Sequence, residues 1–294
     1  MFDIRTDLAL EAHELASKNK QHTVDGVIFR EEYKEGYKLT RVEIISPEGE
    51  KATGKPMGKY LTLDVGKIWE RGSEEFNDIC LAVAELINEL TINSSSILFV
   101  GLGNTDITAD ALGPKTVQNI IVTRHLKDEA PDVFNKMEFC DISAFAPGVL
   151  SQTGIETSEA VRSIADRIKP SAVIVVDALA SADMSRLGTV IQISNTGISP
   201  GSGVCNRRMP LNEQALGVPV IAIGVPTVMD AVTLAYGITG TEQSSERIHE
   251  CENMFVTPKD CDKIISFMSR VIGYSINVAF HKKLGIDEVI SILS

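Results

Sequence analysis

From residue 97 onward, short apolar runs alternate with segments of helical periodicity, and this alternation is the strongest constraint on the fold. Strands that alternate with helices build a mainly parallel sheet, because each right-handed crossover lays its helix on one face of the sheet. The chain is therefore predicted to have an α/β fold of the phosphorylase/hydrolase-like type, with a mainly parallel sheet and helices on both faces. The predicted strands are 97–102, 137–142, 172–177, 189–194 and 219–225.

Three helices have boundaries that the sequence indicates. A helix is expected over about 74–90, with acidic residues in its first turn. Thr153 and Glu156 have the spacing of a capping box, which predicts that a helix starts at this point. Pro258 is predicted to open a long C-terminal helix, because its fixed φ and missing N–H suit the first helical position.

The first part of the chain is more highly charged and is predicted to be a solvated addition to the core. Apolar segments at 27–29 and 42–45 flank Gly36, which predicts a β-hairpin with glycine in its turn. We therefore expect residues 8–96 to form a β-containing N-terminal elaboration. It would pack on an α/β catalytic core of residues 97–294, so that the two form one continuous unit.

Composition excludes several classes of protein. The chain has 294 residues, a formal net charge of -12 and 44% hydrophobic residues. Binding to nucleic acid or to an anionic membrane needs clustered Lys and Arg, so neither partner is expected. No run approaches the ~20 apolar residues of a membrane helix, and the N-terminus lacks a secretion signal, so a cytoplasmic protein is expected. The five cysteines contain no C-x-x-C pair, so neither a zinc site nor a disulfide framework is indicated.

Two aspartates, Asp110 and Asp177, each follow a predicted buried strand. In an open parallel sheet, ligands collect outside the carboxyl ends of the strands, so both carboxylates could face one crevice. Such a pair can share one proton and hold one water, which suits acid/base attack on an amide. The alternative for Asp110 is the N-cap of a helix. For Asp177 a charge at the end of an apolar strand needs a partner, a cleft or a ligand.

The glycines after the first predicted strand have another possible use. Gly101 and Gly103 resemble the start of a dinucleotide-binding motif, but the third glycine position is Asp106, whose charge would repel a pyrophosphate. Nucleotide binding is therefore not expected. The two glycines are instead predicted to let the loop that leads to Asp110 fold over the strand end.

Five other residues are weaker candidates. Gly148 and Gly201 lie in loops that could present backbone groups to an extended peptide, or could simply form turns. Arg207 and Arg208 are the paired basic residues of the charge-poor middle, and they could attract acidic substrate side chains or solvate a loop. Asp230 follows the last predicted strand of the core and is either an accessory acid or the cap of the next helix.

Together these motifs resemble the germination protease family of spore-forming bacteria, endopeptidases that degrade small acid-soluble spore proteins. The resemblance runs from residue 5 to beyond residue 230 and so covers essentially the whole chain. The matching segments are RTDLA at 5–9, GLGN at 101–104, DALGP at 110–114, PGV at 147–149, QTGIET at 152–157, VDAL at 176–179, NTGI at 195–198 and GVPT at 224–227.

The resemblance implies properties that spacing does not reveal. The two catalytic aspartates of the family fall on Asp110 and Asp177, and no cofactor is expected. The family is made as a zymogen that cuts itself, and here the cut would fall between Asp7 and Leu8, so residues 1–7 would be a pro-segment. Members form tetramers, and a location in the spore core is implied. The fold is implied to be similar to that of hydrogenase-maturation endopeptidases, more distant relatives that bind nickel.

Three functions remain open on the sequence. The first is paired-aspartate hydrolysis, in which one ionised carboxyl activates water and the other, protonated, donates a proton. The second uses Asp110 and Asp177 as metal ligands in a metal-dependent endopeptidase, although no obvious His partner is present. The third is a non-enzymatic peptide-binding α/β module in which the aspartates only cap helices.

Overall fold

One sheet runs through the part of the chain that the computed structural model describes, residues 4–18, 24–91, 94–201, 209–239, 251 and 254–293. The strands are β1 (Val27–Lys34), β2 (Tyr37–Ile44), β3 (Gly58–Asp64), β4 (Ser96–Gly101), β5 (Asp141–Phe145), β6 (Ala172–Ala180), β7 (Val190–Ser194), β8 (Val220–Asp230) and β9 (Phe255–Val256).

Helices of very different length connect and cover these strands. They are α1 (Ala9–Lys18), α2 (Pro47–Thr53), α3 (Ser73–Leu90), α4 (Leu112–Val117), α5 (Leu126–Glu129), α6 (Pro131–Lys136), α7 (Leu150–Thr153), α8 (Thr157–Ile168), α9 (Glu213–Leu216), α10 (Ala231–Thr239), α11 (Cys261–Phe280) and α12 (Ile286–Leu293). Three 3-10 turns lie at Ile68–Glu70, Thr108–Asp110 and Met184–Arg186. In the described ranges, no helix has the length and apolar character needed to cross a bilayer.

The sheet has a parallel half and an antiparallel half. Its order is β1-β2-β3-β7-β8-β6-β4-β5, and β9 pairs with β8 outside this path. Strands β8, β6, β4 and β5 are parallel neighbours, whereas β1, β2, β3 and β7 pair antiparallel up to the edge of β8. The predicted α/β class is confirmed. The N-terminal hairpin joins the same sheet, because β3 pairs with β7.

Helices pack on both faces, as the strand alternation predicts. Alternate residues of a strand point to opposite faces. On one face, Phe99 and Val176 join a large apolar core with residues of α3 and α11. On the other, Val175 packs with Val161 and Ala165 of α8. Strands β4 and β6 are thus buried on both sides, which explains why their sequences read as continuous apolar runs.

Some local boundaries differ from the sequence prediction. The capping box is wrong: α7 ends at Thr153, Gly154 takes the left-handed conformation with φ +71°, and α8 begins only at Thr157. Glycine favours that conformation because it has no Cβ, so it ended one helix before the next could start. The C-terminal helix α11 begins at Cys261 rather than at Pro258. Helix α3 is confirmed over 73–90.

Helix α4 rests directly on the ends of β4 and β6 because Gly113 has no side chain. A Cβ at this position would lie 2.3 Å from the carbonyl oxygen of Leu102 and 2.5 Å from that of Val176. The same two residues are joined by a hydrogen bond of 2.8 Å from the Leu102 N–H to the Val176 oxygen. Close backbone contact therefore holds the loop that contains Asp110 against the sheet.

We expect Gly113→Ala to lower the free energy of unfolding by about 2–3 kcal/mol, because the new methyl group would collide with backbone atoms of Leu102 and Val176. Urea unfolding monitored by circular dichroism measures this change. Gly237→Ala is the matched control, since Gly237 lies in α10 with open space around it. That control should be neutral or slightly stabilising. Equal losses in the two variants would contradict the packing argument.

Candidate active site

Asp177 is a buried carboxylic acid inside β6, because this strand continues to Ala180 rather than ending before Asp177 as predicted. Its side chain is only 6% exposed, and Oδ1 accepts a hydrogen bond of 2.9 Å from the Ala178 N–H. Burial raises the pKa of the Asp177 carboxyl well above its usual range, and the nearby carboxylates of Asp110 and Asp7 raise it further. Asp177 therefore favours the protonated form at a pH where ordinary aspartates are ionised.

Asp110 closes the 3-10 turn that follows β4. Gly103 has φ +112°, and a Cβ there would lie 2.0 Å from the carbonyl oxygen of Asp110, so only glycine lets the loop fold back so closely. The Asn104 N–H donates to Asp110 Oδ2 at 2.9 Å. Burial raises the pKa of Asp110, and the hydrogen bond from Asn104 opposes that rise. The helix-cap alternative is wrong, because Ala111 is the N-cap of α4.

Adjacent strands bring the two aspartates close enough for the charge of Asp110 to act on Asp177. Strand β6 lies between β4 and β8, so the loop after β4 reaches β6 directly. On the other side, the hydroxyl of Thr227 in β8 donates to the carbonyl oxygen of Ala109 at 2.7 Å. Because the charge of Asp110 raises the pKa of Asp177, the state in which only one of the two carboxyls is ionised is favoured. Their catalytic role stays a prediction at this point.

The N-terminal segment contributes a third carboxylate. The Asp7 N–H donates to the Ala180 oxygen at 2.9 Å, and the Ala180 N–H donates to Asp7 Oδ2 at 2.9 Å. Leu8 is fully buried and packs with Leu179 and Val190. The Asp7–Leu8 peptide bond, which the family resemblance marks as the cut, therefore lies against the end of the strand that contains Asp177.

A glutamine on the neighbouring strand holds the chain on both sides of this bond. Gln192 of β7 is 7% exposed. Its Nε2 donates to the Asp7 carbonyl oxygen at 3.3 Å, and its Oε1 accepts from the Ala9 N–H at 2.7 Å. The peptide bond between Asp7 and Leu8 is thus bracketed by one side-chain amide.

Helix α1 is anchored by a buried charge just beyond the same strand. Glu11 is 2% exposed and accepts hydrogen bonds from the Ser181 hydroxyl at 2.7 Å and the Ala182 N–H at 2.7 Å. Arg186 lies 3.3 Å from it as the charged partner, and the Thr6 hydroxyl also donates to it. A buried carboxylate with this many donors is well compensated, so α1 is firmly attached to the segment after β6.

A cavity of about 970 Å³ opens next to this segment on the same side of the sheet. Residues 4–7 form part of its wall, residues 197–199 form another part, and Leu179, Gln192 and Gly224 also line it. The volume is in the range of sites that bind a small molecule or a few peptide residues. Residues before Leu8 therefore occupy the edge of a groove that is large enough for a peptide.

The weaker candidates have different outcomes. Asp230 is the cap of α10, since it accepts from the Thr233 N–H at 2.9 Å, and it also pairs with Arg5 at 3.2 Å. Gly148 lies in the loop that leads to α7, with φ +73°. Gln152 of that helix donates to the Asn104 side chain at 2.8 Å, which places the loop beside the Asp110 turn.

Gly201 has φ +70° at the end of a described segment, beyond the cavity wall. Arg207 and Arg208 lie outside the described residues, so their proposed contact with acidic substrate side chains stays a prediction. In the described ranges, no group of three or more His, Cys, Asp or Glu side chains is arranged to hold a metal ion.

Sequence reasoning missed Gln192 and Glu11. Both act on partners more than 160 positions away, Gln192 on Asp7 and Ala9, and Glu11 on Ser181 and Ala182. A lone glutamine in a strand and a lone glutamate in an amphipathic helix match no motif. The available signal was weak: Gln192 interrupts the apolar run 190–193, where a polar side chain needs a partner.

Comparison with known proteins identifies the family. The germination protease family model matches residues 6–240. The germination protease of Caldanaerobacter subterraneus subsp. tengcongensis is 46% identical, over 99% of this chain and 98% of its own. Those of Clostridium perfringens (strain ATCC 13124) and Geobacillus sp. (strain WCH70) are 39% and 36% identical, each over 98% of this chain and over 98% and 96% of their own lengths.

Among solved structures, the [NiFe] hydrogenase maturation protease HycI from Thermococcus kodakarensis KOD1 overlaps 64% of this chain and 98% of its own. The identity is 15% and the TM-score 0.32, which is too low for the likeness to bear on the fold or the site. The sequence matches, by contrast, span nearly the full length of both partners. The chain belongs to the germination protease family and is an endopeptidase.

Proposed function

We propose that this protein is made as a precursor that cuts its own chain between Asp7 and Leu8, and that the processed form degrades small acid-soluble spore proteins during germination. The observation that carries the proposal is the position of the Asp7–Leu8 bond. Its backbone is fixed to β6 and β7, and the Asp7 carboxylate is near enough to Asp177 to raise the pKa of that group.

The two aspartates have different environments, which supports an assignment of roles. Asp177 is the more buried acid and the one whose pKa is raised well above its usual range, so it holds the shared proton and acts as the general acid. Asp110 is half-buried and accepts a backbone hydrogen bond that favours its ionised form, so it acts as the general base. Opposite environments for paired carboxyls are the usual basis of this division of labour.

Hydrolysis then needs one water and no other reactant. The water oxygen bonds to the Asp7 carbonyl carbon while Asp110 takes a proton from it. Asp177 gives its proton to the carbonyl oxygen or to the Leu8 nitrogen, and the C–N bond breaks to give a carboxyl at Asp7 and an amine at Leu8. Asp110 then passes its proton back to Asp177, which restores the starting state of the pair.

The contacts of the N-terminal segment also support a substrate class. Leu8 fits among Leu179, Val190 and Ile198, so an apolar residue is expected directly after the cut. We propose that substrates present an acidic residue, then an apolar residue, then a small one, in the pattern of Asp7, Leu8 and Ala9. A homotetramer in the cytoplasm of the developing spore is proposed from the family resemblance alone.

The experiment that tests this proposal is the intact mass of the purified protein before and after incubation at mildly acidic pH. The wild type should lose the mass of residues 1–7. A folded sample whose mass never changes, and which leaves a spore-protein substrate uncut, would refute the proposal. Cleavage that stops with a chelator and returns with one added metal would favour the metal-dependent mechanism.

Asp110→Asn and Asp177→Asn should each slow self-cleavage by at least about 1,000-fold, because each removes one partner in proton transfer. The rate is measured from the mass of the full chain over time. Asp166→Asn is the control, since Asp166 is an exposed carboxylate of α8 and takes no part in the proposed chemistry. Full processing by either site variant would exclude the aspartate pair.

Asp177→Asn should also stabilise the fold at neutral pH. The pKa of Asp177 is raised in the folded state. Between the ordinary and the raised value the folded protein keeps a proton that the unfolded chain has released, so stability falls as pH rises, by up to ~1.4 kcal/mol per pH unit. Asparagine does not ionise, so its burial carries no such loss of stability as pH rises. Urea unfolding should give a gain at pH 7 that disappears near pH 4; a loss at pH 7 would contradict the assigned burial cost.

Asp7→Asn should shift the alkaline limit of self-cleavage to lower pH. The charge of Asp7 helps to raise the pKa of Asp177, so its removal lets Asp177 lose its proton at lower pH. The measurement is the self-cleavage rate as a function of pH. Asp166→Asn removes an exposed carboxylate of α8 and should leave the limit in place. An unchanged limit in Asp7→Asn would show that Asp177 is not the proton donor.

A further inference from the structure

Gln192 contacts the chain on both sides of the peptide bond that we propose is cut. Its Nε2 lies 3.3 Å from the Asp7 carbonyl oxygen, the oxygen that gains negative charge when water attacks. Its Oε1 accepts from the Ala9 N–H at 2.7 Å, two residues further along the chain. An N–H can only donate, so Oε1 must face Ala9 and the amide donor must face Asp7.

The sheet register places Gln192 opposite the acidic pair. Gln192 pairs with Gly224 of β8, and Gly224 pairs with Asp177 of β6, so the three form one row across the sheet. Residues in such a row point to the same face. Two strand spacings of ~4.8 Å put the ends of the row about 10 Å apart. The middle position is glycine, and the side chain of Leu179 lies over it.

Asp7 makes hydrogen bonds with both outer strands of this row. Its N–H reaches β6 at Ala180, and its carbonyl oxygen reaches β7 at Gln192. The backbone at Asp7 therefore connects β6 with the Gln192 side chain of β7. A Cβ at Gly224 would lie 2.5 Å from Leu179 Cγ, and Leu179 packs against Leu8, so a side chain there would disturb the segment.

We propose that Gln192 is a catalytic residue of this protease that clamps the substrate backbone on both sides of the bond to be cut and stabilises the oxyanion. The inference rests on the proposed function and extends it to the substrates. Gln192 contacts only main-chain atoms, so it can hold any peptide that lies in the same position, whatever its side chains.

The chemistry suits a side-chain amide. A separation of 3.3 Å is long for a hydrogen bond to a neutral carbonyl, and such bonds shorten when the acceptor becomes charged. The hydrogen bond from Nε2 therefore stabilises the transition state more than the ground state, and this difference is what makes the chemical step faster. The acceptor on the Ala9 N–H fixes the position of the chain and contributes to binding rather than to rate.

The competing explanation is that Gln192 only caps α1. Ala9 is the first residue of that helix, and its N–H has no acceptor within the helix. A cap requires Oε1 and makes no use of Nε2. The two explanations therefore differ for a substitution that keeps the acceptor and removes the donor.

Gln192→Glu makes that change, and Gln192→Met removes both hydrogen bonds with little change in volume. The measurements on the full chain are the first-order rate constant of self-cleavage at pH 6–7 and the melting temperature. Thr62→Val is the matched control: Thr62 pairs with Gln192 across β3 and β7, is 1% exposed, and its hydroxyl has no hydrogen-bond partner in the described part of the chain. Wild-type self-cleavage in the same series tests the proposed function independently.

We expect both Gln192 variants to lose about 100-fold in rate, as on removal of one oxyanion donor, while Thr62→Val keeps its rate. If Gln192→Glu does not fold, Gln192→Met decides when its rate is measured well below its melting temperature, because a lost cap then leaves the folded fraction unchanged. A rate within threefold of wild type in Gln192→Met, or in folded Gln192→Glu, overturns the inference and leaves the proposed function standing. No cleavage by the wild type overturns both.

Discussion

The burial of Asp177 within β6 is the interaction on which the rest of the site depends. Burial raises the pKa of this carboxyl and so favours its protonated form, and the Ala178 N–H donates one backbone hydrogen bond to it. The same burial makes it sensitive to any nearby charge. Asp110 and Asp7 become chemically relevant through that sensitivity, since each would have little influence on an acid in open water. The fold thus buries the Asp177 carboxyl, at a cost in free energy, at the position where the proposed chemistry needs an acid.

The N-terminal segment is attached by two sets of contacts with different consequences. Before the proposed cut, the Asp7 backbone forms hydrogen bonds with the Ala180 backbone and with the Gln192 side chain. Residues after it are held by the buried Leu8 and by Glu11, which is compensated by donors from residues 181–183 and by Arg186. A cut between Asp7 and Leu8 would therefore leave the contacts of Leu8 and Glu11, and with them the attachment of α1, in place. This arrangement is consistent with a precursor that changes its site without rebuilding its fold.

The sequence predicted strands β4, β6 and β8 of the parallel half well, because each is buried on both faces and reads as an apolar run. The edge strand β5 lies at 141–145 rather than at the predicted 137–142. The sequence also predicted that Asp110 and Asp177 lie near each other at the ends of their strands. The Asp110 charge does act on Asp177, but β6 continues to Ala180, so Asp177 lies inside its strand. The sequence prediction failed at 153–156, where a capping pattern was present but Gly154 adopted the left-handed conformation and ended a shorter helix. It could not predict the roles of Gln192 and Glu11, because only the tertiary fold brings their hydrogen-bond partners close to them.

The sequence by itself determined which segments are strands and helices, which residues are acidic at strand ends, and to which family the chain is similar. These features depend on local periodicity and on motifs that can be read in order. Only the tertiary structure decided that Asp7, Asp110 and Asp177 share one electrostatic environment and that Gln192 brackets a peptide bond. The reason is physical: hydrogen bonding and charge coupling act over a few ångströms in space, whatever the separation in sequence.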